Sequence, residues 1–275
     1  MFSGFSVMGL FISSYSLCII AGIFAAFPLA VLRYKKRGGD DISMILLLLF
    51  AAVGAFVGMH LLFGLVNIPH WDILTRAKGV LDWIKRFFAL FSGGVFYGGL
   101  IGGLIAGGIS MKLQKLPAAL TCDCIAPSIA LFHAFGRVGC FLAGCCYGVE
   151  SEHGIVLTQS MVESANGVPR VPVQLYEALF ELALFAALSV FLNKEWFRGK
   201  LISLYLLTYA AGRFVLEFWR GDEYRGFIFG LSTSQFISVF VFAAAAVCFI
   251  FAPAGKEKSR REQCRRRPRR TRLYK

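Results

Sequence analysis

The chain has 275 residues, of which 57% are hydrophobic and only 16% charged, where a soluble domain of this size carries about 25% charged residues. That composition excludes an ordinary water-soluble enzyme. Net charge is +13, but eleven basic residues and two acids lie between Lys256 and Lys275, so the tail holds +9 and the other 255 residues +4; the high pI therefore does not point to nucleic acid.

In chain order, the first seven residues carry no positive charge and no small-x-small cleavage site ends a short apolar run, so no signal peptide is expected. The apolar residues before Ser13, among them Phe5, Leu10 and Phe11, suggest a short helix lying in the membrane interface. It lacks the basic face common in such helices. Seven stretches are long and apolar enough to span a bilayer: 13–32, 42–68, 87–111, 117–135, 174–192, 200–219 and 231–251. The expected fold is an all-α integral membrane protein with about seven transmembrane helices. Residues 1–255 form one polytopic membrane domain with an outer loop at 136–172, and 256–275 form a basic, disordered cytoplasmic tail.

An odd number of spans separates the termini, and the basic tail orients them. The C-terminus is expected in the cytoplasm and the N-terminus outside. Nine Lys and Arg lie in short connections on the tail's side, and eight, Arg225 among them, lie in longer loops opposite. The stretch from His70 to Arg86, with Trp71, Leu74, Trp83 and Ile84 among charges, reads as a helix on the outer surface.

Within the third span, Gly93, Gly94, Gly98, Gly99, Gly102, Gly103, Gly107 and Gly108 set a repeated small-x-x-x-small spacing that allows close helix packing. Tyr97 is the polar exception among them. At the end of the fourth span, Gly136-Arg137-Val138-Gly139, continuing through Gly144 to Gly148, reads as a bent backbone whose N–H groups and arginine could cradle a phosphate. His133 lies one turn earlier and points the same way. Cys140, Cys145 and Cys146 raise the question of a metal or redox site. Cys122 and Cys124 lie about a helix length away and no C-x-x-C pair exists, so no metal is expected; a local disulfide among the outer three remains open.

The fifth helix opens with Pro172, and places Gln174, Glu177 and Glu181 on one stripe beside Tyr176. In the sixth, Arg213, Glu217 and Arg220 stack at i, i+4 and i+7. Ionisable groups in a span face a cavity or one another. They read either as ion pairs between helices or as an anion site, since an arginine offers a planar fork of donors suited to phosphate.

These motifs, in this order, resemble the prolipoprotein diacylglyceryl transferase family over residues 15–222. The most specific piece is Gly136-Arg137-Val138-Gly139, closing with Gly144 and Gly148. Gln174-Leu175-Tyr176-Glu177, Arg213-Phe214-x-x-Glu217-Phe218-x-Arg220 and the Tyr97 segment support it. The resemblance implies a bacterial inner-membrane, multi-pass enzyme. It would transfer the diacylglyceryl group of phosphatidylglycerol to the lipobox cysteine of preprolipoproteins, the first step of lipoprotein maturation, without a cofactor. Its partners would be phosphatidylglycerol, preprolipoprotein signal peptides and membrane lipids, and no nucleic acid.

By the same resemblance the candidate catalytic residues are Arg137, Arg213, Tyr97, His133 and Glu177. The candidate substrate-binding residues are Tyr15, Gly136, Gly139, Cys140, Gly144, Gly148, Gln174, Tyr176, Glu217 and Arg220. Arg137 and Arg213 match the family's essential arginines, and Glu177 and Glu217 would orient them or the glycerol hydroxyl. The chain departs from the family's pattern at Tyr97, where a histidine is common, at Cys140 for an asparagine, at Val171 for a histidine, and at Ser16 for a glycine. The general base is therefore open, with His133 or direct thiolate chemistry as candidates. Two readings of other classes stay beside this one: a non-enzymatic lipid- or anion-binding membrane protein or transporter, and a thiol oxidoreductase using Cys145 and Cys146.

Overall fold

A computed structural model describes residues 4–7, 10–160, 162–221 and 226–252. The basic tail expected at 256–275, with its boundary after residue 255, and Arg225 lie outside the described residues. Among these residues, seven helices are long and apolar enough to cross a membrane. They are α1 (Ser14–Lys36), α2 (Asp41–Val66), α4 (Phe96–Leu113), α5 (Ala118–Ala143), α6 (Val173–Asn193), α7 (Leu201–Leu216) and α8 (Thr233–Phe251). A shorter helix, α3 (Val80–Leu90), precedes α4.

Four expectations change. The residues before Ser13 form an antiparallel hairpin, β1 (Gly4–Val7) with β2 (Leu10–Ser13), instead of an interfacial helix. The segment 70–86 is not one helix: a 3-10 turn at Ile68–Leu74 and α3 are separated where Gly79 adopts φ 150°. The third span starts at Phe96, not Phe87, because Ser92, Gly93 and Gly94 separate it from α3, whose own apolar face ends with Phe88 and Leu90. The fourth span runs eight residues further than its apolar stretch, to Ala143, carrying the Gly-Arg-x-Gly segment inside a helix.

The pairings follow from where small residues fall. On α2 and α4, a Cβ added at Gly54 would lie 2.5 Å from the Gly102 carbonyl oxygen, and one at Gly98 would lie 2.3 Å from that of Gly58. The two backbones touch, which is what the small-x-x-x-small spacing provides in lipid, where close van der Waals approach replaces the hydrophobic drive. Helix α5 is central: it packs on α1, α6 and α7, and 50% of its apolar window is buried, against 33% or less for every other span. Its Ala126, Ala130 and Ala134 face the core and let larger neighbours, Leu188, Leu192, Leu201 and Tyr205, close around it.

One end of this bundle is closed by structural polar contacts. Asp123, buried near the start of α5, accepts from the backbone N–H groups of Gly199 at 2.5 Å and Leu201 at 2.9 Å, satisfying donors at the N-terminus of α7 that have no intrahelical acceptor. Arg33 on α1 donates to Ser128 and Ser189 at 2.9 Å each, joining α1 to α5 and α6.

At the opposite end the α5–α6 connection is tied down. Strand β3 (Glu150–Val156) pairs with β4 (Pro169–Arg170), and Tyr147, Leu157 and Ala165 form a small core beneath it. The segment at Gly148 is held on two sides: its N–H donates to the Val171 carbonyl at 3.1 Å, and the Val149 N–H to that of Trp219 at 2.9 Å. A Cβ at Gly148 would lie 2.4 Å from the Val171 oxygen, so only glycine lets the loop lie against the residues that follow α7. A second short hairpin, β5 (Phe227–Ile228) with β6 (Leu231–Ser232), leads into α8.

Candidate active site

A second set of polar residues of the lipid-spanning helices converges at this same end. From α5 come His133 and Arg137, one turn apart. From α6 come Glu177 and Glu181, from α7 Arg213, from the 3-10 turn that follows it Glu217, and from the start of α8 Ser232 and Ser234. Each sits on the bundle-facing side of its helix because an ionisable group exposed to lipid is costly.

Glu177 is the centre. It is 1% exposed, and its Oε1 lies 2.8 Å from Nη2 of Arg137 while its Oε2 lies 3.8 Å from Nη1 of Arg213. One carboxylate thus stands between two guanidinium groups. Arg137 also donates from Nε to Nε2 of His133 at 3.3 Å. Nδ1 of His133 lies 2.8 Å from Oε1 of Glu181 and 3.4 Å from the Tyr205 hydroxyl. With Nε2 accepting from arginine, the network assigns the ring proton to Nδ1, on the side of the ring that faces Glu181 and the Tyr205 hydroxyl. Arg213 pairs with Glu217 at 2.6 Å and donates to the Ser234 hydroxyl at 3.1 Å. The other Glu217 oxygen accepts from Ser232 at 2.9 Å, and Ser232 also caps α8 in a capping box with Gln235. The arginine–glutamate network and the start of α8 are therefore one construction.

The Gly-Arg-x-Gly segment differs from the bent loop expected. Its backbone N–H groups are used within α5, so they cannot cradle a phosphate. Instead its glycines bring α1 close: a Cβ at Gly139 would lie 3.1 Å from both Cys18 and Tyr15 side-chain atoms, whereas one at Gly136 would meet only Ile19 at 3.8 Å. The helix ends at Gly144, whose φ of 72° is the left-handed C-cap conformation glycine favours.

That turn brings together groups far apart by spacing. The Cys145 N–H donates to the Cys140 carbonyl at 3.1 Å, so the chain curls back under the last turn of α5. The Sγ atoms of Cys140, Cys145 and Cys146 all lie within 4.8 Å of one another. Buried Gln174 on α6 donates to the Cys145 carbonyl at 2.7 Å, and Ser160 to that of Gly144 at 2.7 Å. The Cys146 thiol is held well below the usual range by hydrogen bonds from Cys140 and Cys145, and the guanidinium of Arg220 donates to it as well. Cys145 is pushed up to about 11, because its bond with Cys140 is outweighed by the opposing bond with Cys146 and by burial.

Of the residues singled out from sequence, His133, Arg137, Glu177, Arg213 and Glu217 form one network. Cys140, Gly144, Gly148, Gln174 and Arg220 build the loop beside it, and Tyr15, Gly136 and Gly139 form the α1–α5 contact. Tyr176 is exposed on the other side of α6. Tyr97 lies in the first turn of α4, a helix packed on α2; it is exposed, and no hydrogen bond joins it to the arginine network among the described residues. Sequence reasoning did not single out Tyr205, Tyr209, Ser232 or Ser234. Tyr205 and Tyr209 stood in plain view at i−8 and i−4 from Arg213, continuing its stripe; Tyr209 packs on the His133 ring at 5.0 Å between centroids.

Comparison with known proteins gives one answer. The family model described as prolipoprotein diacylglyceryl transferase matches residues 3–251. A Clostridium tetani protein named phosphatidylglycerol–prolipoprotein diacylglyceryl transferase is 36% identical over 238 residues, covering 86% of this chain and 91% of its own. A Clostridium perfringens protein bearing that name with the number 2 is 35% identical, with 86% and 89% covered. A Dehalococcoides mccartyi protein of the same name is 31% identical, with 90% and 92% covered.

Proposed function

Since the chain belongs to the prolipoprotein diacylglyceryl transferase family, we propose that it works at the Arg137–Glu177–Arg213 network. The protein is a transferase: it moves the diacylglyceryl group of phosphatidylglycerol onto the lipobox cysteine of a preprolipoprotein. In this step the C–O bond between the diacylglyceryl carbon and the phosphate oxygen breaks as a C–S bond to the cysteine forms. Glycerol phosphate leaves with the electron pair, and the thiol proton is lost.

The observation that carries this assignment is the pair of guanidinium groups held on one carboxylate. Arginine has five N–H donors; Arg137 donates one to His133 and pairs by charge with Glu177, and its remaining donors suit a phosphate. Arg213 is held similarly by Glu217 and Ser234. Donors fixed in place before charge develops on a leaving phosphate are the most effective form of stabilisation in a dry site. Glu177 acts as a positioning residue, since its carboxylate lies between the two guanidinium groups.

His133 is the base this arrangement favours. Once a phosphate draws Arg137 onto itself, Nε2 is released to accept the thiol proton, and Glu181 on Nδ1 stabilises the resulting imidazolium, the logic of an oriented base. The lipid's acyl chains have a place nearby. An apolar groove of about 410 Å³, lined by Leu17, Cys18, Ala21, Ala134, Phe135, Val138 and Leu182, runs between α1, α5 and α6.

In a seven-span chain the site end and the C-terminus are on opposite sides, and the Lys- and Arg-rich tail favours a cytoplasmic C-terminus. The site then faces the outer side of a bacterial plasma membrane, where exported preprolipoproteins present their cysteine. Purified protein in phosphatidylglycerol vesicles, given a lipobox peptide, is expected to yield glycerol phosphate and a peptide heavier by one diacylglyceryl group. Lipid binding without either product would assign the protein to non-enzymatic lipid binding instead.

A further inference from the structure

We propose that Cys140, Cys145 and Cys146 form a binding site for one thiophilic metal ion, Zn²⁺ or Cu⁺ by chemistry, beside the arginine network. The three Sγ atoms lie within 4.8 Å of one another and are partly buried. Three thiolates around an ion at Zn–S distances of about 2.3 Å stand about 3.8 to 4.0 Å apart. Closing the present separation to that value takes a shift of about an ångström or less.

The backbone that carries the three sulfurs is fixed at several points. Gly144 turns in the left-handed conformation, and Cys146 does so too, with φ 59° although it has a side chain; a non-glycine residue held there stores strain that its surroundings must support. Gln174 holds the Cys145 carbonyl and Ser160 that of Gly144. The segment just beyond is clamped between Val171 and Trp219. A ligand set preset in this way loses little entropy on binding.

The chemistry of the set selects the ion. Soft thiolates favour Zn²⁺ and Cu⁺ over the oxygen-seeking Mg²⁺ and Ca²⁺. Three sulfurs complete a trigonal Cu⁺ site, or leave the open fourth position of a Zn²⁺ site. Charge is compatible: Arg220 is already against Cys146, so a Zn²⁺ trithiolate of net charge −1 has a cation beside it. A disulfide is the poorer use of these groups. Adjacent Cys145 and Cys146 are joined by a trans peptide, which puts their Cα atoms about 3.8 Å apart, inside the usual lower limit of about 4.4 Å for a disulfide. Any other pairing strands the third thiol.

The test uses the reduced, full-length protein in lipid nanodiscs, titrated separately with Zn²⁺ and with Cu⁺ against a chromophoric chelator. One equivalent of at least one ion is expected to bind at least 100-fold more tightly than to a Cys140→Ser/Cys145→Ser/Cys146→Ser variant. Replacing Cys122 and Cys248 by Ser should change that affinity less than threefold. X-ray absorption separates the arms, with three sulfurs alone for Cu⁺ and three sulfurs plus one lighter ligand for Zn²⁺. A second readout needs no variant: bound ion should protect Cys140, Cys145 and Cys146 from alkylation and leave Cys122 and Cys248 reactive. Affinity unchanged by loss of the three cysteines, or protection that does not favour them, overturns the proposal. Neither readout depends on transferase activity.

Discussion

The carboxylate of Glu177 lies 2.8 Å from the guanidinium of Arg137, and both groups are withdrawn from the surface between α5 and α6. Removing one partner of a buried ion pair leaves the other charge uncompensated and costs about 3 to 5 kcal/mol. Glu177→Gln is therefore expected to lower thermal stability by an amount in this range and kcat/KM by about 100-fold. Thermal melting in nanodiscs and a product assay on the folded fraction read the two effects separately.

Arg213 is placed by a neighbour on another helix, the Ser234 hydroxyl. Ser234→Ala removes one hydrogen bond to a charged group, about 1.5 to 3 kcal/mol, so kcat/KM should fall about 10- to 100-fold while the fold is kept. Ser232→Ala removes both the α8 cap, about 1 kcal/mol, and a partner of Glu217; melting temperature should drop along with activity. Equal stability of wild type and Ser232→Ala would separate the helix start from the anion site.

At the far end, Asp123 holds two backbone N–H groups, about 21 Å along α5 from Arg137. Asp123→Ala should lower stability by about 1 to 3 kcal/mol. Activity per folded molecule should stay within twofold, as measured by calibrating the assay against the folded fraction.

The two glycines of the Gly-Arg-x-Gly segment should behave unequally. Gly139→Val drives side-chain atoms into Tyr15 and Cys18 and should cost about 1 to 3 kcal/mol through overpacking. Gly136→Ala has room beside Ile19 and should be neutral or stabilising by up to about 1 kcal/mol, as alanine outranks glycine in a helix. A melting series on both variants decides this.

His133 and Tyr97 occupy different surroundings, one inside the arginine network and the other in the first turn of α4. His133→Gln should lower kcat by at least about 100-fold, the range lost with a general base. Tyr97→Phe should change it less than about threefold. The reverse order would move the proton-accepting role to α4.

The bundle and the site were legible to different depths. Seven apolar stretches were visible because lipid demands them, and Arg137, Glu177, Arg213 and Glu217 were visible because charges inside such stretches need a reason. Span boundaries were not: polar and glycine residues at 136–139 look like a loop, yet a helix continues through them because Arg137 finds Glu177 and the glycines find α1. The β1–β2 hairpin was hidden by apolar residues that lack clear alternation. The meeting of Cys140 with Cys145 and Cys146 depends on the left-handed turn at Gly144, which residue spacing does not report. Tyr205 and Tyr209 were passed over because a tyrosine on an apolar helix looks like packing until its partner, His133, is placed.

The most direct measurement compares Arg137→Ala and Arg137→Lys with the parent protein in phosphatidylglycerol vesicles, following glycerol phosphate release and lipidated peptide together. Arg137→Ala should reduce both products in parallel by about 100- to 1000-fold, the loss expected for one transition-state donor. Arg137→Lys should recover little of it, because an ammonium cannot bridge Glu177 and a phosphate as the planar fork does. Full activity in a folded Arg137→Ala protein would contradict the phosphate site.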